Sequence, residues 1–115
     1  MGLILWIDQN TFASSLIEKV FKKKGLEFYT LPHARDFLYL VDDLKPELIV
    51  LDVQTLKVDE EAFRNQYESS ELLRNTPIVL IGMGESLDYI QNKRGEISRT
   101  LDPFGVPELL AKYRG

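Results

Sequence analysis

The chain has 115 residues, 44% of them hydrophobic and 28% charged, with 14 Lys and Arg against 18 Asp and Glu for a formal charge of −4. That size suits one compact domain, and the mixture excludes disorder, collagen-like repeats and low complexity. With no cysteine and one histidine, His33, there are no disulfides, thiolate nucleophiles, iron–sulfur clusters or two-histidine metal sites, and the negative balance gives no general field for nucleic acid.

Leu3 to Ile7 reads as a buried strand ending at Asp8. It has no basic region before it and is too short for a membrane span or signal sequence, so a soluble, cytoplasmic chain is expected. From Phe12 to Lys24 the apolar residues Phe12, Leu16, Ile17, Val20 and Phe21 recur at helical spacing, with Asn10 or Thr11 as N-cap and Gly25 as stop. Lys22-Lys23-Lys24 closes that helix, where cations complement the dipole. Leu26 to Leu31 is a second strand of edge character, and Pro32-His33 opens a helix carrying Phe37, Leu38 and Val41 inward until Pro46 ends it.

Leu48-Ile49-Val50-Leu51 must be covered on both faces, which favours a central parallel strand ending at Asp52. One helix is expected over 59–73, with Phe63, Tyr67 and Leu73 inward. Pro77 to Ile81 is a fourth strand, followed by a Gly82-Met83-Gly84 turn and a weak helix over 86–92. Ile97 to Leu101 is the expected fifth strand, and Pro103 to Tyr113 the last helix, with Pro107 in its first turn. Strands alternating with helices predict a three-layer, doubly wound α/β sandwich with a parallel sheet in the order 2-1-3-4-5, a flavodoxin-like arrangement forming one domain over 1–115, either alone or as the amino-terminal part of a longer protein. Chemistry in such a sheet sits at the carboxyl ends of the strands, which here are Asp8, Asp52, Gly82 and Asp102. Strands 1 and 3 are neighbours, so Asp8 and Asp52 are expected to lie together.

Ile4-Leu5-Trp6-Ile7-Asp8, the run Pro46 to Asp52, Asp59, Pro77 to Ile81, and Pro103-Phe104 with Glu108-Leu109-Leu110 follow one another along the whole chain. In order and spacing they resemble the receiver domain of two-component response regulators. The resemblance implies Asp52 as phosphoacceptor, with Asp8, Asp52 and the Gln54 backbone carbonyl as ligands of a magnesium ion. It also marks departures. Gln9 stands where a second acidic residue is usual, Gly82 where Ser or Thr is usual, Asp102 where Lys is nearly invariant, and Arg99 at the switch aromatic.

Phosphoryl transfer to a carboxylate needs an in-line oxygen and neutralisation of the phosphoryl charge by metal, cation or hydroxyl donors. Two unit charges about 4 Å apart interact by roughly 4 kcal/mol at an effective dielectric of 20, so a Lys-to-Asp reversal outweighs one lost hydrogen bond of about 1 kcal/mol; two placements stay open for Asp102, joining the acid pair or turning to solvent. The residues therefore predict a pseudo-receiver: no catalytic residue, no cofactor or at most weakly bound Mg2+, and Lys57 as a partial replacement cation. Function is expected through a protein partner, such as a histidine kinase or a fused output domain, with homodimerisation left open and neither nucleic acid nor membrane engaged. The expected interaction face spans 86–113 with Tyr89, Arg99, Phe104 and Tyr113. Two alternatives stay open: a phosphorylation-competent receiver using Asp52 with Mg2+, and a flavodoxin-like small-molecule binder.

Overall fold

The computed structural model describes residues 2–82, 87–99 and 102–114. Five parallel strands, β1 (Ile4–Ile7), β2 (Phe28–Leu31), β3 (Leu48–Asp52), β4 (Ile78–Ile81) and β5 (Lys93–Ile97), pair in the order β2-β1-β3-β4-β5. This is the expected doubly wound arrangement.

The three central strands are buried along their whole length, as their unbroken aliphatic runs require. Period-two alternation sorts their side chains onto two faces. Leu5, Ile7, Ile49, Leu51 and Leu80 pack with Phe37, Phe63 and Leu73 on one side. Ile4, Trp6, Leu48, Val50 and Val79 pack with Phe21, Val106 and Leu110 on the other. Each fully buried large side chain contributes roughly 1.5–3 kcal/mol relative to exposure, so these two layers hold the strand ends in place. The register sets Ile7 beside Leu51, so the chain leaves β1 and β3 at the same level, at Asp8 and Asp52.

Helix α1 (Thr11–Lys23) starts where the Asn10 side chain accepts from the Ala13 amide, 3.1 Å, and ends before Gly25 at φ 69°. Other boundaries depart from expectation. α2 covers only Leu38–Leu44. Ahead of it, Asp36 has φ 46°, and the Gln66 amide takes over the backbone bonding, accepting from the Phe37 amide at 2.6 Å and donating to the Ala34 carbonyl at 3.1 Å.

After an unexpected short helix, α3 (Val53–Val58), the single helix over 59–73 is instead two, α4 (Glu60–Ser69) and α5 (Glu71–Asn75). Ser70 breaks the last two apart by becoming the N-cap of α5, its hydroxyl accepting from the Leu73 amide. The expected helix over 86–92 is not formed in its described part, Leu87–Asn92, which is turn structure. There the Tyr67 hydroxyl donates to Asn92 Oδ1 (2.5 Å) and accepts from the Gln91 amide (2.9 Å), while Asn92 Nδ2 donates to the Leu73 and Thr76 carbonyls. Residues 83–86, including most of the glycine turn, lie outside the described residues.

The fifth strand is displaced four residues towards the amino terminus, ending rather than beginning at Ile97. Its buried-side positions are Gly95 and Ile97, and a glycine gives no apolar signal. The Tyr113 ring fills the space, since a Cβ on Gly95 would come within 2.5 Å of it. The last helix is a 3-10 turn, Pro103–Gly105, running into α6 (Val106–Ala111).

Candidate functional site: a guanidinium across two buried carboxylates

Asp8 and Asp52 meet at the carboxyl edge of the sheet, with 0% and 4% of their surface exposed. Charges so buried must be paired or hydrogen-bonded. The Arg99 guanidinium supplies the pairing. Its two terminal nitrogens donate to the two Asp8 oxygens at 2.6 and 3.0 Å, and one of them also donates to Asp52 Oδ1 at 2.5 Å. This forked geometry suits the planar cation. The hydrogen bond to Asp8, with the charges of Asp8 and Asp52 behind it, pushes Arg99 further above its ordinary range despite partial burial.

The remaining acceptor capacity goes to local donors. Asp8 accepts from Trp6 Nε1 (3.3 Å) and the Asn10 amide (2.9 Å). Asp52 is the N-cap of α3, its Oδ2 accepting from both the Thr55 amide (3.0 Å) and the Thr55 hydroxyl (2.7 Å). The same hydroxyl accepts from the Gln9 amide at 2.8 Å, which ties the loops after β1 and β3 together.

No protein-family model and no curated protein sequence matches the chain. Among solved structures, a response regulator from Desulfuromonas acetoxidans superposes with a TM-score of 0.78 at 11% identity, over 97% of this chain and 95% of that one. The chemotaxis response regulator CheY4 of Vibrio cholerae gives 0.75 at 17% identity, over 98% of each chain. The signal receiver domain of a putative Luxo repressor protein from Vibrio parahaemolyticus gives 0.74 at 15%, over 97% of this chain and 88% of that one. The fold is that of a receiver domain.

Within this receiver fold the predicted residues fall into two groups. Asp8, Asp52 and Arg99 come together. Arg99 does not lie in a strand as a switch residue would: β5 ends two residues earlier, and the loop turns the guanidinium over the ends of β1 and β3. Asp102 does not face the pair. It is exposed and caps the 3-10 turn, its Oδ1 accepting from the Phe104 amide at 3.2 Å. Of the two placements open to it, Asp102 takes the solvent-facing one, and an arginine from another position supplies a cation beside Asp52. Lys57 is exposed at the rim of the cleft that Asp52, Gly82 and Arg99 share. Gly82 has φ 100°, a left-handed backbone that a Ser or Thr would adopt only with strain.

The magnesium ion implied by the receiver resemblance finds no matching donor set. Such an ion asks for near-octahedral oxygens at about 2.0–2.1 Å. Here the carboxylate oxygens face a guanidinium, and Gln54 is the second residue of α3, where the helical pattern commits its carbonyl to the amide four residues on. The Gln9 side chain is exposed, and among the described residues no group of three His, Cys, Asp or Glu is placed to hold a metal. The residues present do not fit the ion in this arrangement.

The expected interaction face is also rearranged. Tyr89 is half-buried against Tyr67 and Phe63, with the Arg64 guanidinium 4.2 Å from its ring centroid. Burial, with Glu60 adding to it, pushes its hydroxyl up to about 12. Tyr113 packs on Gly95, and Arg99 is engaged with the acids. Of the four named residues, Phe104 stays fully available at 71% exposure. His33 is partly buried and its Nδ1 has no hydrogen-bond partner among the described residues. Thr55 was missed from the sequence. Its signal was present in Asp52 followed three residues later by a hydroxyl residue, the spacing at which an N-cap carboxylate meets the third helical residue.

Proposed function

We propose that the protein is a pseudo-receiver, a signalling module that works through protein–protein contact without accepting a phosphoryl group. The observation that carries this reading is the Arg99 guanidinium spanning Asp8 and Asp52. In-line attack on a phosphodonor requires a free Asp52 oxygen, and one of its oxygens accepts from Arg99 while the other accepts twice from Thr55. Freeing either oxygen means breaking charge-assisted bonds in a buried setting.

The surface available to a partner favours a particular chemistry. Phe12 and Leu16, exposed by 75% and 39%, line an apolar pocket of about 140 Å³ with Trp6, Ile17, Ile97 and Pro103, and Phe104, 71% exposed, follows Pro103 in the chain. At about 100° per residue, Lys19 and Lys23 fall on the same face of α1 as Phe12 and Leu16. A second copy of α1 lying antiparallel would set lysines against phenylalanine, and a parallel one would set lysine against lysine. A partner segment with an apolar anchor followed by Asp or Glu satisfies both halves of the stripe.

Incubation of the purified chain with acetyl phosphate and Mg2+, followed by intact-mass measurement, tests the reading. The expected spectrum shows only unmodified protein. Stoichiometric gain of one phosphoryl group that disappears in Asp52→Asn would overturn it in favour of a working receiver.

A further inference from the structure

Two buried carboxylates at adjacent strand ends are a costly arrangement that proteins ordinarily stabilise with a bound cation or with paired side chains. In this chain the pairing is internal to an unusual degree. Described residues direct seven donor contacts at the four oxygens, three of them from Arg99. The Arg99 side chain is 38% exposed while its partners are 0% and 6% exposed, so it enters from solvent and closes over the acids as a lid. As a guanidinium it carries its charge at any ordinary pH.

We infer that Arg99 is a built-in counter-ion, holding Asp8 and Asp52 in the structural role of a divalent metal and excluding such metals from the pair. A guanidinium and a divalent ion cannot share these oxygens. Two carboxylates and one guanidinium leave a residual single negative charge, so removing the guanidinium exposes a doubly negative, oxygen-only pocket. Hard divalent cations suit such a pocket, with water completing their coordination. The wild-type fold is accordingly indifferent to Mg2+, Ca2+ and Mn2+, and a chain lacking the guanidinium becomes dependent on them.

Trp6 supplies a reporter. It is the only tryptophan in the sequence, and its indole nitrogen donates to Asp8 Oδ2, one of the two Asp8 oxygens that accept from Arg99. The experiment compares wild type with Arg99→Gln and Arg99→Lys after chelation. Unfolding midpoints and Trp6 emission are followed while Mg2+, Ca2+ or Mn2+ is added up to about 10 mM at constant ionic strength, a range that lets mass action stabilise a binding-competent native state.

The wild-type midpoint is expected to stay within about 1 °C, and Arg99→Gln to start several degrees lower and recover most of that loss with metal. Emission from Trp6 should move in the glutamine variant alone. Arg99→Lys, which keeps one charge, should remain nearly blind to metal, and it preserves the test if the glutamine variant fails to fold: a metal response there would count against the inference. A wild-type midpoint that rises with metal, or a folded Arg99→Gln chain that ignores it, overturns the inference. Either result leaves the phosphoryl question to the intact-mass measurement, so the two readings fail separately.

Discussion

Two arginines close opposite ends of the same sheet, and they do so in different ways. At the carboxyl end Arg99 spans Asp8 and Asp52, both almost wholly buried. At the amino end Arg114 pairs with Glu47 and donates to the Gly2 carbonyl at 3.1 Å, with Glu47 still 30% exposed. At the amino end an acid that water already solvates gains a partner of modest worth. At the carboxyl end the acids have little water to fall back on, so the guanidinium is a condition of their burial. The difference lies in the acids and not in the arginines, since Arg114 is itself the more buried of the two, 11% against 38% exposed.

The comparison breaks if the two arginines prove equivalent. Arg99→Gln should destabilise the fold by about 2–3 kcal/mol, below the usual cost of orphaning a buried ion because water reaches part of the site. Arg114→Gln should cost about 1 kcal/mol or less, because the Glu47 carboxylate left behind keeps access to water. Equal shifts in urea midpoint for the two would remove the distinction.

Asp102 sharpens it by sign. As the cap of a short 3-10 turn, Asp102→Ala should cost about 0.5 kcal/mol and Asp102→Asn almost nothing. If Asp102 were instead repelling the acid pair, both substitutions would raise stability. A pH-dependent effect lies away from both ends, at Tyr89. Its hydroxyl titrates near 12 when folded against about 10 when unfolded, so the unfolded chain loses this proton first as pH rises. The contribution is fully present below pH 10 and disappears between about pH 10 and 12. Absorbance titration should show a late phenol ionisation, and its loss in Tyr89→Phe checks the assignment.

The parts legible in the sequence were those where local pattern and tertiary role agree. The aliphatic runs of β1, β3 and β4 and the caps of α1 gave the sheet order and the meeting of Asp8 with Asp52. β5 was misplaced because its inward residues are Gly95 and Ile97, with Lys93, Arg94 and Glu96 exposed between and around them at the sheet edge. That displacement hid the central feature of the site. A strand running through Arg99 points its side chain by alternation, whereas a strand ending at Ile97 frees a two-residue turn to carry the guanidinium back over the acids. α3 was missed for a related reason. Asp52 was read as a reactive group, and its capping of the next helix is a second use of the same carboxylate that no periodicity reveals.

The contact between Arg114 and the Gly2 carbonyl has a topological consequence: it sets the two extremities of the described fold side by side. Chains with adjacent ends tolerate circular permutation when the new opening falls in an exposed turn. Joining the ends through a few glycines and serines and reopening at the exposed Lys24–Gly25 turn would leave every strand intact. The domain can therefore be spliced into a host loop with its acid pair and α1 stripe preserved.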